Sequence, residues 1–169
     1  MRTTIEELYQ SAIIEQDRSP RNCRRLDAPS HRAEGRNPMC GDEVAVELQL
    51  DGDGRITDIG FQGSGCAISR ASASMMTSAL QGKTTAEARE LFDRFHALMT
   101  GGKVEPGQLG KLVVFGGVAE FPMRVKCATL AWHAMRTAMS HEPVTVRSAR
   151  NSTLIADPTV TGSWLMAKQ

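Results

Sequence analysis

The chain has no apolar run approaching the eighteen or so residues that a membrane-spanning helix needs. Residues 1–14 form a charged amphipathic stretch without the apolar block of a signal peptide. Charge of one sign is missing as well. Twenty Lys and Arg stand against 19 Asp and Glu, a formal net charge of +1, which leaves no global electrostatic footprint for nucleic acid or a membrane surface. Glycine and proline number only 15 and 7 among 169 residues, which excludes a collagen-like chain, and an apolar fraction of 41% excludes a wholly disordered one. No internal repeat, glycine-rich phosphate cradle, paired-acid pattern or hydroxyl nucleophile beside a base stands out. These absences predict a single cytoplasmic domain with a real core, binding neither nucleic acid nor membrane.

What is present begins with a local basic patch. Residues 18–36 hold six arginines against Asp27 and Glu34, an excess of +4, which reads as a solvated loop or a docking surface for an acidic partner. Ahead of it, Thr4 and Glu7 form a capping box. Ile5, Leu8, Tyr9, Ala12 and Ile13 follow with helical spacing, predicting a helix with one buried face that ends near Asp17. Residues 18–38 read as a long loop that hides at most one short strand of unplaced position. Val44, Val46, Leu48 and Leu50 alternate with Glu43, Ala45, Glu47 and Gln49, the period of a half-buried strand. The turn 51–54 leads to a second strand through Ile56, Ile59 and Phe61. Its broken alternation between Ile56 and Ile59 predicts a bulge or a frayed start.

Three helices are expected after the hairpin. Residues 66–80 are rich in Ala, Ser and Met and stop at Gly82, with Cys66 at the helix N-terminus. Thr84 and Glu87 make a second capping box, followed by Ala88, Leu91, Phe92, Phe95 and Leu98 on one face and a stop at Gly101-Gly102. Residues 103–121 read as a loop carrying a short helix. Pro122 then opens a helix through about Ser140. The polar residues beyond Glu142 are expected to form a loosely attached tail.

Four cysteines in a reducing compartment point to metal binding or thiol chemistry rather than disulfides. Cys40 and Asp42 sit at the mouth of the first strand of the hairpin, Cys66 at the start of a helix after it, and Cys127 one to two turns into the last long helix. The ends of a hairpin lie together, so three sulfurs and a carboxylate can meet at one end of the sheet, the number of ligands a zinc ion takes. The spacings of 26 and 61 residues are not those of a zinc finger, and core filling by Cys66 or Cys127 is an equally open reading of the spacing alone. Cys23 reads as an uninvolved exposed thiol. Three thiolates and a carboxylate around a divalent ion sum to −2, which calls for nearby cations; Arg124 and Lys126 flank Cys127 and are either those cations or solvated helix charge. His133 lies about 240° around the helix from Cys127 and is not expected to share a metal with it. His31, in a loop, and His96 and His141 read as structural or exposed.

Three motifs carry a resemblance. They are Arg36-Asn37-Pro38-Met39-Cys40-Gly41-Asp42, then Phe61-Gln62-Gly63-Ser64-Gly65-Cys66-Ala67-Ile68-Ser69 with the following 71–76, and Phe121-Pro122-Met123-Arg124-Val125-Lys126-Cys127 running on to Trp132. In this order, over residues 4–140, they resemble the U-type iron-sulfur assembly proteins, the IscU and NifU N-terminal type. The resemblance implies an α+β fold, a small antiparallel sheet of about three strands packed against a layer of helices, with the domain at 1–141 and a polar tail at 142–169. Lys126, where scaffold members carry histidine, and the long path through residues 101–120 resemble the SufU branch. That branch implies tight zinc binding by Cys40, Asp42, Cys66 and Cys127, with Cys40 accepting persulfide sulfur from a pyridoxal-phosphate cysteine desulfurase of the SufS kind. The sulfur then passes to downstream iron-sulfur assembly proteins. The alternative is a scaffold on which an iron-sulfur cluster is built and from which it is handed on. Gln16-Asp17 stand where the family has a His-Tyr pair, and residues 151–169 match no family motif.

Overall fold

A computed structural model describes residues 4–141, so the expectations for the tail and for the first three residues lie outside the described residues. Helix α1 (Ile5–Arg18) leads into strands β1 (His31–Asn37), β2 (Asp42–Leu50) and β3 (Ile56–Ser64). Helices α2 (Ala67–Leu80) and α3 (Thr85–Met99), the 3-10 segments Pro106–Gln108 and Gly110–Val118, and helix α4 (Pro122–Ser140) follow. The strands form one antiparallel sheet in the order β1-β2-β3. This is the α+β architecture that the motifs imply.

Both capping boxes are formed: the Thr4 side chain accepts from the Glu7 N–H and that of Thr84 from the Glu87 N–H, each glutamate reaching back to its cap. The break in alternation is a bulge. Gln49 pairs with Asp58 but Leu50 with Ile56, so Thr57 is the extra residue, and its hydroxyl donates to the Gln49 carbonyl at 3.0 Å. The unplaced strand is β1, and His31 begins it instead of lying in a loop.

One face of the sheet is covered by α4. Gly35 makes this close approach possible, because a Cβ there would stand 3.1 Å from the Leu130 side chain and 3.5 Å from that of Ala134. The centre of the core is Trp132, fully buried, stacked on Phe95 at 4.5 Å and donating its indole N–H to the Ser72 hydroxyl at 3.1 Å. Ser72 in turn donates to the Ala128 carbonyl, so the two buried polar groups that tie α2 to α4 are both satisfied.

The arginine segment packs across the opposite face. The Leu26 N–H donates to the buried Glu47 carboxylate at 2.8 Å and Arg32 reaches the same group at 3.1 Å. Arg24 pairs with Asp58 at 2.6 Å and Arg36 with Glu43 at 3.2 Å. Four of the six arginines of this strap, Arg24, Arg25, Arg32 and Arg36, thus meet acids of the strands, and of the six all but Arg32 stay exposed. Helix α1 is less buried than its pattern suggests. Leu8 is 56% exposed and Ile14 47%, and the helix is held instead by Ile13 against the core, by Ser74 donating to Gln16 at 2.6 Å and by an Asp17–Arg70 pair at 3.6 Å. In α3 it is Met99 that is fully buried, with Leu98 only partly so.

His133 on α4 meets the Phe92 ring edge-on at 5.2 Å and His96 of α3 at 6.0 Å. Burial, then the charges of His96 and Arg136, push its pKa from 6.5 down to about 4. The unfolded chain therefore takes up this proton first as pH falls, and the stability present above pH 6.5 is lost progressively towards pH 4. Urea unfolding of the metal-free protein should show a decline of up to about 3 kcal/mol from this group across that window, and His133→Gln should flatten the slope.

Candidate metal centre

The register fixes where the site stands. Asn37 pairs with Asp42, and Glu43 with Ser64, so the 38–41 turn and the link from β3 into α2 leave the sheet at the same end. The turn is closed by the Cys40 and Gly41 N–H groups donating to the Asn37 carbonyl at 3.3 and 2.8 Å, and by the Met39 N–H donating to Asn37 Oδ1 at 3.1 Å. Gly41 has φ +73°, a conformation that side chains disfavour, and it lets the chain reverse directly after Cys40.

Asp42, 3% exposed, opens β2 and points its carboxylate at the next element. Its Oδ1 accepts from the Cys66 N–H at 3.0 Å, and its Oδ2 lies 3.5 Å from Cys66 Sγ. Cys66 is the N-cap of α2, its sulfur accepting from the Ser69 N–H at 3.5 Å, so the carboxylate sits against the positive end of the helix. Gly65 leaves the room: a Cβ there would lie 3.0 Å from Asp42 Oδ1 and 3.1 Å from its Cγ. Cys127, on the second turn of α4, is buried, and its Sγ lies 3.6 Å from Cys40 Sγ.

The donor atoms of Cys40, Asp42 and Cys127 all fall within 4.8 Å of one another. Cys66 falls outside that mutual set and stands against Asp42, its Sγ 3.5 Å from Oδ2. Two sulfurs on one tetrahedral zinc ion are roughly 3.8 Å apart and a sulfur and an oxygen roughly 3.6 Å apart, from bond lengths of about 2.3 and 2.1 Å. The Cys40–Cys127 separation of 3.6 Å and the Cys66–Asp42 separation of 3.5 Å match these values, and a soft three-sulfur, one-oxygen set suits zinc or iron. Cys66 and Cys40 are exposed, so neither fills the core, whereas Cys127 is both buried and part of the cluster. Cys23 is exposed on the strap and belongs to no such group among the described residues.

Without a cation the two sulfurs in contact, those of Cys40 and Cys127, resist ionisation. Burial raises the Cys127 thiol far above its ordinary value, and Cys40, Cys66 and Asp42 raise it further. Cys40 is also raised, first by burial of its thiol and then by the Asp42 side chain, against lowering by the Asp42 backbone and by Cys127. Arg124 is exposed and lies 4.9 Å over the Phe121 ring, and Lys126 is half-buried; among the described residues neither forms an ion pair with an acid. Sequence reasoning gave Asn37 no role of its own. It is 5% exposed with its Nδ2 unpartnered, and the signal for it was its place in the first motif, before proline at a turn.

A small antiparallel sheet that gathers Cys40, Asp42 and Cys127 at one end, with Cys66 beside Asp42 and a long helix closing the group, defines an α+β protein with a thiol and carboxylate cluster that could hold a metal ion. Residues 8–140 match the NifU-like N-terminal domain, and the chain belongs to that family. The iron-sulfur cluster assembly scaffold protein IscU of Streptococcus pyogenes is 40% identical over 137 residues, covering 80% of this chain and 84% of that one. The zinc-dependent sulfurtransferase SufU of Bacillus subtilis is 38% identical over 139 residues, covering 82% and 93%. Among solved structures, one described as an iron-sulfur cluster assembly scaffold for the SUF system of Fervidobacterium islandicum superposes with a TM-score of 0.73 at 35% identity, over 76% of this chain and 93% of that one.

The environments of the four thiols predict their order of reactivity in chelator-treated protein at neutral pH. Cys23 and Cys66 should be alkylated first, Cys40 more slowly and Cys127 last. Peptide mass spectrometry over a time course reads this order; rapid labelling of Cys127 would contradict the packing described.

Proposed function

We propose that the chain is a zinc-dependent sulfurtransferase that accepts sulfur on Cys40 from the persulfide of a pyridoxal-phosphate cysteine desulfurase and passes it into iron-sulfur cluster assembly. Cys40, Asp42, Cys66 and Cys127 would hold the metal. Bound zinc supplies the positive charge that keeps thiols ionised at neutral pH, against the upward push the pocket exerts on Cys40 and Cys127.

The observation that carries the reading is an asymmetry within the cluster. Cys127 and Asp42 are buried in regular elements; of the two exposed thiols, Cys66 caps a helix with its sulfur on the Ser69 N–H, whereas Cys40 stands on a turn closed by a glycine. Of the four, Cys40 is the one that can reach an incoming group without unravelling a helix or strand. Its thiolate attacks the outer sulfur of the donor persulfide; the new bond joins Cys40 Sγ to that sulfur, the donor S–S bond breaks, and the donor cysteine leaves as a thiolate. Oxidation level is conserved, and the persulfide proton travels with the transferred sulfur.

Met39, Phe121 and Met123, 65%, 48% and 50% exposed, lie on the two segments that the Cys40–Cys127 contact brings together. They offer an apolar rim for the desulfurase, with Arg124 and Lys126 to offset negative charge or guide docking. Lys126 in place of a scaffold-type histidine favours the sulfurtransferase. The scaffold reading draws on the similarity to the Streptococcus pyogenes protein and on a donor set equally suited to iron.

Protein purified without added metal should carry one zinc per chain, retained by Cys23→Ser and weakened by Asp42→Ala, and stripping it should lower the melting temperature. After one round with the desulfurase, mass spectrometry should find the added sulfur on Cys40, and Cys40→Ser should abolish both acceptance and stimulation of the desulfurase. Sulfur on Cys23, or full stimulation by Cys40→Ser, would refute the mechanism in favour of the scaffold.

A further inference from the structure

We infer that the side-chain amide of Asn37 is a positioning group for the metal centre, donating an N–H···S hydrogen bond to the Cys40–Cys127 sulfur pair when these are thiolates. The inference rests on the metal reading above and concerns a residue outside the ligand set.

Asn37 is 5% exposed, and its oxygen atoms are fully used in the turn: Oδ1 accepts from the Met39 N–H at 3.1 Å and the main-chain carbonyl from Cys40 and Gly41. Its Nδ2 is buried and has no partner. Closing the turn requires only the oxygen, which an aspartate would supply without leaving donors unsatisfied. A buried amide whose donors stay unpaired is costly, and the cost is relieved if an acceptor forms in the working state.

The fold places that acceptor. Odd-numbered residues of β1 are its buried set, and Gly35 lies against Leu130 and Ala134 of α4. Cys40, just past the strand, touches Cys127. Asn37 falls between these two points on the same buried face and is paired across the sheet with Asp42. Neighbours of this kind have Cβ atoms about 4.5–5.5 Å apart. A protonated thiol is a weak acceptor, while a metal-held thiolate is a strong one that carries excess negative charge. The amide N–H would spread that charge where Arg124, stacked on Phe121, has no acid to hold it in place. Hydrogen bonds to ligand atoms from outside the ligand set orient the ligands and set metal affinity.

The test uses the full chain with isotopically labelled nitrogen, metal-free and loaded with one equivalent of spin-active cadmium. The Asn37 side-chain amide is assigned by its loss in Asn37→Asp. On loading, one amide proton should move downfield and couple to the metal nucleus through sulfur. In a chelator competition with zinc, Asn37→Ala should bind roughly 10-fold or more weakly than wild type. Should Asn37→Ala fail to fold, the wild-type resonance alone decides. An amide that does not move in the loaded wild type, or wild-type zinc affinity in Asn37→Ala, would overturn the inference while leaving the ligand set standing. A wild type that takes up neither metal would overturn the metal reading itself.

Discussion

The antiparallel register of the three strands is the constraint on which the site depends. Because Asn37 faces Asp42 and Glu43 faces Ser64, two chain reversals are forced to the same sheet end, and each carries a cysteine away from it. Strand side chains alternate with period two. A slip of one residue would therefore turn Asp42 from the buried face to solvent and separate its carboxylate from the Cys66 N–H. The slip is resisted on both faces, by Val44, Val46 and Leu48 in the core and by the Glu47 anchor of the arginine strap. Helix α4 adds the last donor because Gly35 offers no side chain to hold it off.

That geometry creates an electrostatic conflict. Burial and mutual proximity disfavour thiolates at Cys127 and Cys40, the two sulfurs in contact. A cation bound between them would offset that push, and its affinity would count as folding energy, because the unfolded chain cannot bring residues 40, 66 and 127 together. The Trp132–Phe95–Ser72 centre lies along α4 from Cys127, so core packing holds the helix that brings this donor to Cys40.

Much of this was legible in the sequence, and the exceptions have physical causes. The β2–β3 hairpin, the bulge at Thr57, both capping boxes and the span of α4 followed from periodicity and caps. Strand β1 did not, because its core-facing positions include Ala33, Gly35 and Asn37 rather than large apolar residues; a close-lying helix leaves no room for them. Leu8 shows the converse error, an apolar residue at helical spacing that faces outward. The arginines are mostly solvated, as their composition suggests, but their ion partners Asp58, Glu47 and Glu43 were not legible because they lie on strands distant in sequence. Within the motifs the cysteines and Asp42 stood out by their metal-donor chemistry, whereas Asn37, in the first of them, did not, since an orphaned donor is visible only once burial is known.

The division between held and free parts of the cluster follows from the same local rules. Regular elements fix a side chain by cooperative backbone bonding, and Asp42 and Cys127 lie within such elements. A helix N-cap is half fixed, and Cys66 accepts a backbone N–H there. Cys40 lies instead on a turn, closed by hydrogen bonds to the Asn37 carbonyl and Oδ1, with its sulfur against Cys127 and near Asp42. A cluster built this way grips on three sides and yields on one, and the yielding side is rimmed by the exposed Met39, Phe121 and Met123. Asn37 sits where the two behaviours meet, its backbone closing the turn that frees Cys40 and its side chain buried under the helix that fixes Cys127.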